Sequence, residues 1–382
     1  MLARTMTPSR NPVPTAFAIV PDCHAATGYY RTLWERHFYA GLRGAVGRLV
    51  VPRDVDFSWA RALPMTPPAE RARQRAASSQ RLGEEIRQAR QAFGVDLVVS
   101  YCFSDDLELG LVKETMGLGV PWVNFYCDST HRFREVAELA RVVSLNWFPE
   151  HAAIPSYRGV GAKIACRPYA VNPDFLPNLQ CSSAVHPVGF VGLPTANRIT
   201  QLGLLRLLGC PVVIRGKGWG DGGSSPFYSA ESRTRRVLRA IRKPDLGEKC
   251  LRRVLWPLVR PQAGAALTDV EFEQFVRQCG VVLGLNQGRD EHGRLQSYLK
   301  FRDVEFPGYG CCYLTEQNDD IAHVFEPGKE VLTYASLPEA ARRLRHLAGH
   351  GDEAARVGAA GRRRALATHT WARRLDELIC DL

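Results

Sequence analysis

Segments with the pattern of buried β-strands alternate with helix-like segments along this 382-residue chain, in two successive series. The first series contains predicted strands at 16–20, 95–101 and 121–126 and predicted helices at about 29–42, 68–93 and 107–118. The second contains predicted strands at 188–192, 211–214, 281–285 and 312–314 and predicted helices at about 196–208, 269–278, 300–305 and from 337 onward. Because strands joined through helices pair in parallel, this alternation predicts an α/β fold whose parallel sheets are covered by helices on both faces.

An aperiodic stretch that contains prolines and serines, from Asn172 to Pro187, separates the two series. The chain is also too long for a single core of ordinary size. We therefore predict two Rossmann-like domains, with bounds of 12–175 and 186–365.

The composition, with 45% hydrophobic and 23% charged residues, is that of a globular protein. No window offers the roughly 20 apolar residues of a membrane span, and the apolar stretch at 16–20 is too short for a signal peptide, so a cytoplasmic location is expected. The 11 cysteines are odd in number and scattered, which favours free thiols. Because no pair of cysteines has the CxxC spacing of a metal site, we predict no metal site.

Two cations and a carboxylate lie close together at Lys300, Arg302 and Glu305, directly before Pro307 and Gly308, which are expected to break the helix. Lysine and arginine give charge-assisted hydrogen bonds to a pyrophosphate, and a carboxylate accepts hydrogen bonds from ribose hydroxyls. On a helix Arg302 and Glu305 share a face, so that one anionic ligand can contact both. The segment therefore predicts a nucleotide-sugar site, with intrahelical ion pairs on an exposed turn as the alternative.

The same segment resembles a known family. The run KFRDVEFPGYGCCYLTEQNDDIAHVFEPGKEVLTY, followed by AAGRRRALATHTWARRL, is similar to the C-terminal half of the CgeB-like (spore maturation protein) branch of group 1 glycosyltransferases. The resemblance implies the GT-B fold, in which two Rossmann-like domains face a central cleft. It also implies that the C-terminal helix, about 366–382, crosses back to the first domain, with Trp371 as a packing residue.

The resemblance carries donor-binding roles onto residues of the second domain. Besides the Lys300 segment, these residues are the glycine and the cation that follow the first strand of this domain, and a glycine and tryptophan after its second strand: Gly192, Arg198, Gly216 and Trp219. Trp219 is expected to contact the base by stacking or through its backbone. The chain departs from the family pattern at Leu193, where a first cation is expected, and at Ser297, where a first glutamate is expected.

Residues after strand ends in the first domain are candidates for the acceptor side, since open α/β sheets place their sites there. Gly28 is expected to offer its backbone amide to the donor phosphates, or to form only a tight turn. Asp128 and His24 are the candidate catalytic bases, which an inverting transferase needs and a retaining one does not. Helix capping and ordinary hydrogen bonding are the alternatives for both residues.

The net charge of +11 is concentrated in part in the stretch 221–261, which contains ten basic residues and four acidic ones. With its interspersed apolar residues, this stretch predicts either contact with an anionic membrane, or a lid or pair of solvated helices.

The whole sequence, with the resemblance, indicates a metal-independent glycosyltransferase with no cofactor, which takes a nucleoside-diphosphate sugar and a hydroxyl acceptor. A nucleotide-sugar epimerase or hydrolase of the same fold, or a basic nucleic-acid-binding protein, is the alternative, although no nucleic-acid recognition motif is present.

Overall fold

The computed structural model describes residues 14–21, 34–61, 67–179, 187–219, 246–289 and 294–382. The predicted site residues His24 and Gly28 lie outside the described residues, as does most of the basic stretch. The described chain divides into two compact units: unit 1 within Met1–Phe148, Ala152–Asn172 and Thr370–Leu382, and unit 2 within Pro149–His151 and Pro173–His369.

Unit 1 contains a six-stranded parallel sheet with the strand order β2-β1-β3-β4-β5-β6. Its strands are β1 Thr15–Ile19, β2 Arg48–Val50, β3 Leu97–Ser100, β4 Trp122–Phe125, β5 Leu145–Phe148 and β6 Ile164–Cys166. A π-helix, Trp34–Tyr39, leads into α1 Ala40–Ala45, followed by α2 Pro68–Phe93, α3 Leu109–Gly117, α4 Ser129–Arg132, α5 Ala137–Ala140 and α6 Ile154–Gly159. Apolar side chains of β1 and β3 pack against α2 and α3 to form the core, among them Phe17, Val98, Ile86 and Val112.

Unit 2 contains a second six-stranded parallel sheet, in the order β14-β13-β10-β7-β8-β9. Its strands are β7 Val188–Val191, β8 Val212–Arg215, β9 Ala263–Gly264, β10 Val281–Leu283, β13 Cys312–Glu316 and β14 Leu332–Tyr334, and β11 Gln287–Arg289 and β12 Leu295–Ser297 form a separate antiparallel pair. The helices are α7 Ala196–Leu207, α8 Leu246–Val259, α9 Asp269–Gln278, α10 Arg302–Tyr309, α11 Ile321–Val324, α12 Leu337–Ala348 and α13 Gly351–Thr368.

The last helix, α14 Trp371–Asp381, belongs to unit 1. Its first residue, Trp371, is buried against α1, where a Cβ on Gly41 would lie 2.1 Å from the indole ring. The ring also packs edge-on against Phe38 with centroids 4.9 Å apart, and Arg167 pairs with Asp381 at 2.8 Å. The predicted α/β class with two Rossmann-like domains, including a terminal helix that returns to the first of them, is confirmed.

One local expectation is wrong. Pro307 and Gly308 do not break the helix, because both lie inside α10, which ends at Tyr309 and is followed by Gly310 with a φ of +84°. Packing explains why the helix continues through them. A Cβ on Gly361 of α13 would lie 3.1 Å from Cβ of Pro307, and a Cβ on Gly358 would lie 2.2 Å from the carbonyl oxygen of Gly310. The two helices therefore pack so closely that tertiary contact overrides the local propensity.

Within the described part of the chain, no helix is long and apolar enough to cross a bilayer. Eight cysteines of that part are free thiols, most of them buried.

Candidate functional site

Two glycines meet at the carboxyl ends of β7 and β8. Gly192 follows β7 and donates its N–H to the carbonyl oxygen of Arg215 at 3.0 Å. Gly216 follows β8 with a φ of +150°, and a Cβ there would lie 2.2 Å from the carbonyl oxygen of Gly192. Any side chain at position 216 would therefore displace the loop after β7, so this edge of the sheet needs glycine.

Two arginines converge on Gly192 from distant parts of the sequence. A Cβ placed on Gly192 would lie 3.1 Å from Nη1 of Arg302 and 3.2 Å from Nη1 of Arg198. Both guanidinium groups also lie over the buried ring of Phe190, at 5.9 Å for Arg302 and 5.5 Å for Arg198. The loop after β7 thus has two positive charges beside its backbone.

Main-chain carbonyl groups hold both arginines in place. Arg302 donates from Nη1 to Val191 at 2.7 Å, and Arg198 donates from Nε to Leu285 at 3.1 Å. Arg198 belongs to the first turn of α7, whose cap is the side chain of Thr195. A helix N-terminus with two converging guanidinium groups is a strong environment for an anion such as a phosphate.

Trp219 is buried next to the loop that follows β7. Its indole Nε1 donates to the carbonyl oxygen of Gly192 at 2.6 Å, and its ring stacks on Trp256 with centroids 6.1 Å apart. Only 2% of the residue is exposed, and it belongs to the core of unit 2. In this position Trp219 holds the carbonyl group of Gly192 through a hydrogen bond. Its predicted stacking on a base stays a prediction.

Lys300 precedes α10 and lies over an aromatic ring, with its Nζ 3.9 Å from the centroid of Tyr298. Glu305, one turn into α10, is only 6% exposed. Burial raises the pKa of Glu305 to about 7, and the nearby Arg302 opposes that rise. At neutral pH this carboxyl group is therefore close to its titration point.

A buried carboxyl group that the sequence reasoning did not single out anchors the start of α10. Asp303 accepts hydrogen bonds from Asn286 Nδ2 at 2.7 Å, Tyr313 Oη at 2.8 Å and Thr315 Oγ1 at 3.2 Å. Burial raises its pKa, and hydrogen bonds from the Lys300 main chain, Tyr313 and Thr315 oppose the rise. In the described part of the chain, Oδ1 of the buried Asn286 has no hydrogen-bond partner.

A second buried carboxyl group, Glu316, lies at the carboxyl end of β13 and was also not predicted as a site residue. It accepts hydrogen bonds from Gln201 Nε2 at 2.6 Å, from the Asn286 N–H at 2.7 Å and from Ser297 Oγ at 3.2 Å. Burial raises its pKa as well. Its place at the end of a predicted strand was the available signal, since ligands of open α/β sheets bind at the carboxyl ends of strands.

Asp128 lies in unit 1, just after β4, and is half-buried. Its φ of +72° makes it the one non-glycine residue with a positive φ in the described part of the chain. Aspartate tolerates this conformation better than most residues, and such outliers concentrate at functional sites. The catalytic roles predicted for Asp128 and His24 stay predictions, as does the role of Gly28.

The structure therefore brings together five of the predicted donor residues: Gly192, Arg198, Gly216, Trp219 and Arg302. Lys300 and Glu305 lie on the segment that contains Arg302. Among the described residues, no group of three or more histidine, cysteine or acidic side chains is placed to hold a metal ion.

The C-terminal half of the chain matches a known protein family. Residues 203–380 match the protein family described as "Glycosyl transferase-like". No curated protein sequence matches the chain.

Solved structures resemble the chain over nearly its whole length. Sucrose-phosphate synthase from Thermosynechococcus elongatus has a TM-score of 0.58 at 12% identity, covering 96% of this chain and 98% of that one. HepE of Anabaena, solved in complex with UDP and glucose, has a TM-score of 0.55 at 10% identity, covering 97% of this chain and 100% of that one. AviGT4, a glycosyltransferase involved in avilamycin A biosynthesis, has a TM-score of 0.52 at 14% identity, covering 96% of this chain and 97% of that one.

At these identities the likeness shows the fold, which is that of the GT-B glycosyltransferases. The family match over the C-terminal half and this fold together support glycosyltransferase activity. They do not favour the epimerase, hydrolase or nucleic-acid-binding alternatives.

Proposed function

We propose that this glycosyltransferase transfers a sugar from a UDP-sugar to a hydroxyl group of an acceptor. HepE of Anabaena was solved with UDP and glucose bound, which makes a UDP-sugar the first donor to test. The acceptor is a glycan, a lipid-linked sugar, a protein or a small molecule.

The convergence of Arg198 and Arg302 on Gly192 carries the proposal. A Cβ on Gly192 would come within 3.2 Å of both guanidinium groups, so the two charges lie beside one short stretch of backbone. A pyrophosphate placed there receives charge-assisted hydrogen bonds from both side chains and the favourable field of the N-terminus of α7. Glu305 is proposed to accept hydrogen bonds from the ribose hydroxyls, and Lys300 to add a third positive charge.

The cations replace a bridging metal in this proposal. Two guanidinium groups and a helix N-terminus neutralise the charge that builds up on the departing diphosphate. We therefore propose a metal-independent reaction without a further cofactor. Where transfer inverts the anomeric centre, Asp128 or His24 is the proposed base, whereas retaining transfer needs no such base.

We further propose that the chain belongs to the CgeB-like branch, on the strength of the KFRDVEFPGYG and FEPGKE runs. A cytoplasmic location with contact to an anionic membrane is part of the proposal. It is supported by α8, where the consecutive residues 251–254, Leu-Arg-Arg-Val, are all exposed. Exposed apolar and basic side chains on one helix suit a surface of anionic lipid headgroups.

A panel of nucleoside diphosphates and their sugars, screened by thermal shift and followed by calorimetry on each stabilising ligand, tests the proposal. Saturating ligand at 100 times its Kd is expected to stabilise the protein by about 2.7 kcal/mol. Product formation with a stabilising donor then identifies the transfer. A protein that is stabilised by no nucleoside diphosphate would contradict the proposed function.

A further inference from the structure

Four polar side chains form a connected hydrogen-bond relay at the carboxyl edge of the sheet in unit 2. Gln201 donates from Nε2 to Glu316 Oε1 at 2.6 Å and to Gln287 Oε1 at 3.2 Å. Asn197 donates from Nδ2 to the same Gln287 oxygen at 3.1 Å. The relay thus runs from a buried carboxylate, through a buried amide, to two half-buried amides.

The carboxylate fixes the direction of every bond in the relay. An ionised carboxylate only accepts hydrogen bonds, so the group of Gln201 that faces Glu316 must be its NH₂. The second proton of that NH₂ is directed at Gln287, which therefore turns its carbonyl oxygen inward. The main-chain N–H of Asn286 and the hydroxyl of Ser297 also donate to Glu316 and favour its ionised form.

Once these hydrogen bonds are made, two polar groups of the relay take part in none of them. Gln287 has its NH₂ donor left over, and Asn197 has its carbonyl acceptor left over. Among the described residues neither group has a hydrogen-bond partner. Asn197 is the second residue of α7 and directly precedes Arg198, whereas Gln287 begins β11 just after β10.

We propose that Gln287 and Asn197 bind hydroxyl groups of the donor sugar, and that Glu316 acts as a positioning residue for them through Gln201. This inference rests on the proposed function. Two groups are attached directly to the pyrophosphate of a UDP-sugar: the ribose and the transferred sugar. With the ribose assigned to Glu305 on α10, the amides beside the N-terminus of α7 are left for the sugar.

Uncharged amides suit this role. A sugar hydroxyl both donates and accepts hydrogen bonds, so a fixed donor and a fixed acceptor side by side match a pair of neighbouring hydroxyls. A site built in this way discriminates against a sugar whose hydroxyl is inverted or substituted, because a polar group of the protein then loses its partner.

The variants Gln287→Leu, Asn197→Ala and Glu316→Gln test the inference by calorimetry with UDP, UDP-glucose, UDP-galactose and UDP-N-acetylglucosamine. Each variant is expected to bind the sugar nucleotide preferred by the wild type about five- to tenfold more weakly and to bind UDP within twofold of the wild type. Glu316→Gln is expected to reduce the discrimination among the three sugars, because an amide in place of the carboxylate no longer dictates the direction of the relay. Gln274→Leu, an exposed glutamine on α9, is the matched control and should change neither affinity.

Three outcomes would overturn the inference while leaving the proposed function in place. The first is an unchanged affinity and selectivity for the sugars in all three variants. The second is an equal loss of affinity for UDP and for its sugars, which assigns the amides to the nucleotide. The third is an equal weakening of sugar-nucleotide binding in the Gln274→Leu control, which shows that the loss does not come from the relay. A wild type that binds no UDP at all contradicts the proposed function, and this inference with it.

Discussion

Arg302 Nη1 donates to the carbonyl oxygen of Val191 at 2.7 Å, joining residues that lie 111 positions apart. The bond connects the first turn of α10 to the end of β7. It brings the guanidinium group beside Gly192, where Arg198 also lies. The proposed pyrophosphate site therefore depends on a long-range contact as well as on the local motif that first indicated it.

Replacing Arg302 or Glu305 by alanine is expected to weaken binding of UDP. Losing a hydrogen bond to a charged group typically costs about 1.5 to 3 kcal/mol, which corresponds to roughly a 10- to 150-fold loss of affinity. Calorimetry with UDP alone measures this effect without an acceptor. Arg356→Ala, an exposed arginine on α13, is the matched control. Unchanged affinity in both folded variants would remove these residues from the donor site.

Gly216→Ala is expected to destabilise the protein by roughly 2 to 3 kcal/mol, because the new Cβ meets main chain and the backbone is strained. That Cβ would lie 2.2 Å from the carbonyl oxygen of Gly192, at a φ of +150°. Urea unfolding gives the change in stability, and UDP affinity should fall with it, since Gly192 must move. Gly349→Ala serves as the control, since a Cβ there would meet only the His346 carbonyl oxygen, at 3.7 Å. Equal effects of the two substitutions would argue against a close contact at position 216.

The pH dependence of stability should report the buried carboxyl group of Glu305. Its pKa is raised from 4.5 to about 7 by burial. The folded state therefore holds this proton more tightly than the unfolded state does. The stability that the neutral group provides is complete below pH 4.5 and is lost as the pH rises to about 7. The free energy of unfolding of Glu305→Gln, relative to that of the wild type, should therefore rise by about 3 kcal/mol as the pH rises to about 7. Above that pH the difference should stay constant.

Urea unfolding of the wild type and Glu305→Gln between pH 4 and pH 8 measures that difference. Asp352→Asn, which removes an exposed carboxyl group on α13, is the matched control substitution. A Glu305→Gln curve that runs parallel to that of the wild type would mean that the folded protein does not raise the pKa of Glu305.

Several elements were predicted correctly from the sequence because their signals are local, whereas the strands β2, β5, β6 and β9 were not predicted. The amphipathic helix predicted at 269–278 is α9, with the same bounds. The strand predicted at 188–192 is β7, Val188–Val191, since a short apolar run between turn residues leaves few alternatives.

Contacts between distant residues could not be predicted in the same way. Nothing near Pro307 in the sequence shows that α13 packs its glycines against α10 and keeps the helix intact. Glu316 and Gln201 are 115 positions apart, so their hydrogen bond follows only from the order of the strands. Likewise, the burial of Trp219 beneath Gly192 depends on the packing of α8, which provides Trp256.

Removal of divalent metal ions is expected to leave transfer activity unchanged. Positive charge for the diphosphate is assigned to Arg198, Arg302, Lys300 and the N-terminus of α7, which do not require a metal. Product formation in excess chelator, compared with added magnesium or manganese, measures the effect. Activity that collapses in chelator and returns with a metal ion would contradict the metal-independent mechanism.

Contact with an anionic membrane through the stretch 221–261 gives the last prediction. Reversing the charges of Arg235, Arg236, Arg239 and Arg242 is expected to lower cosedimentation with anionic liposomes, because each basic residue near such a surface contributes about 1 kcal/mol. UDP affinity should stay unchanged, since the pyrophosphate is assigned to other cations. The measurement is made at two salt concentrations, because surface attraction is screened beyond about 8 Å at physiological ionic strength.

A second variant, Val254→Ser, removes an apolar side chain that is 69% exposed and should weaken binding at both concentrations. A wild type that ignores anionic liposomes at low salt would leave the lid or solvated-helix interpretation, and loss of UDP binding in the reversed variant would assign the stretch to the donor site.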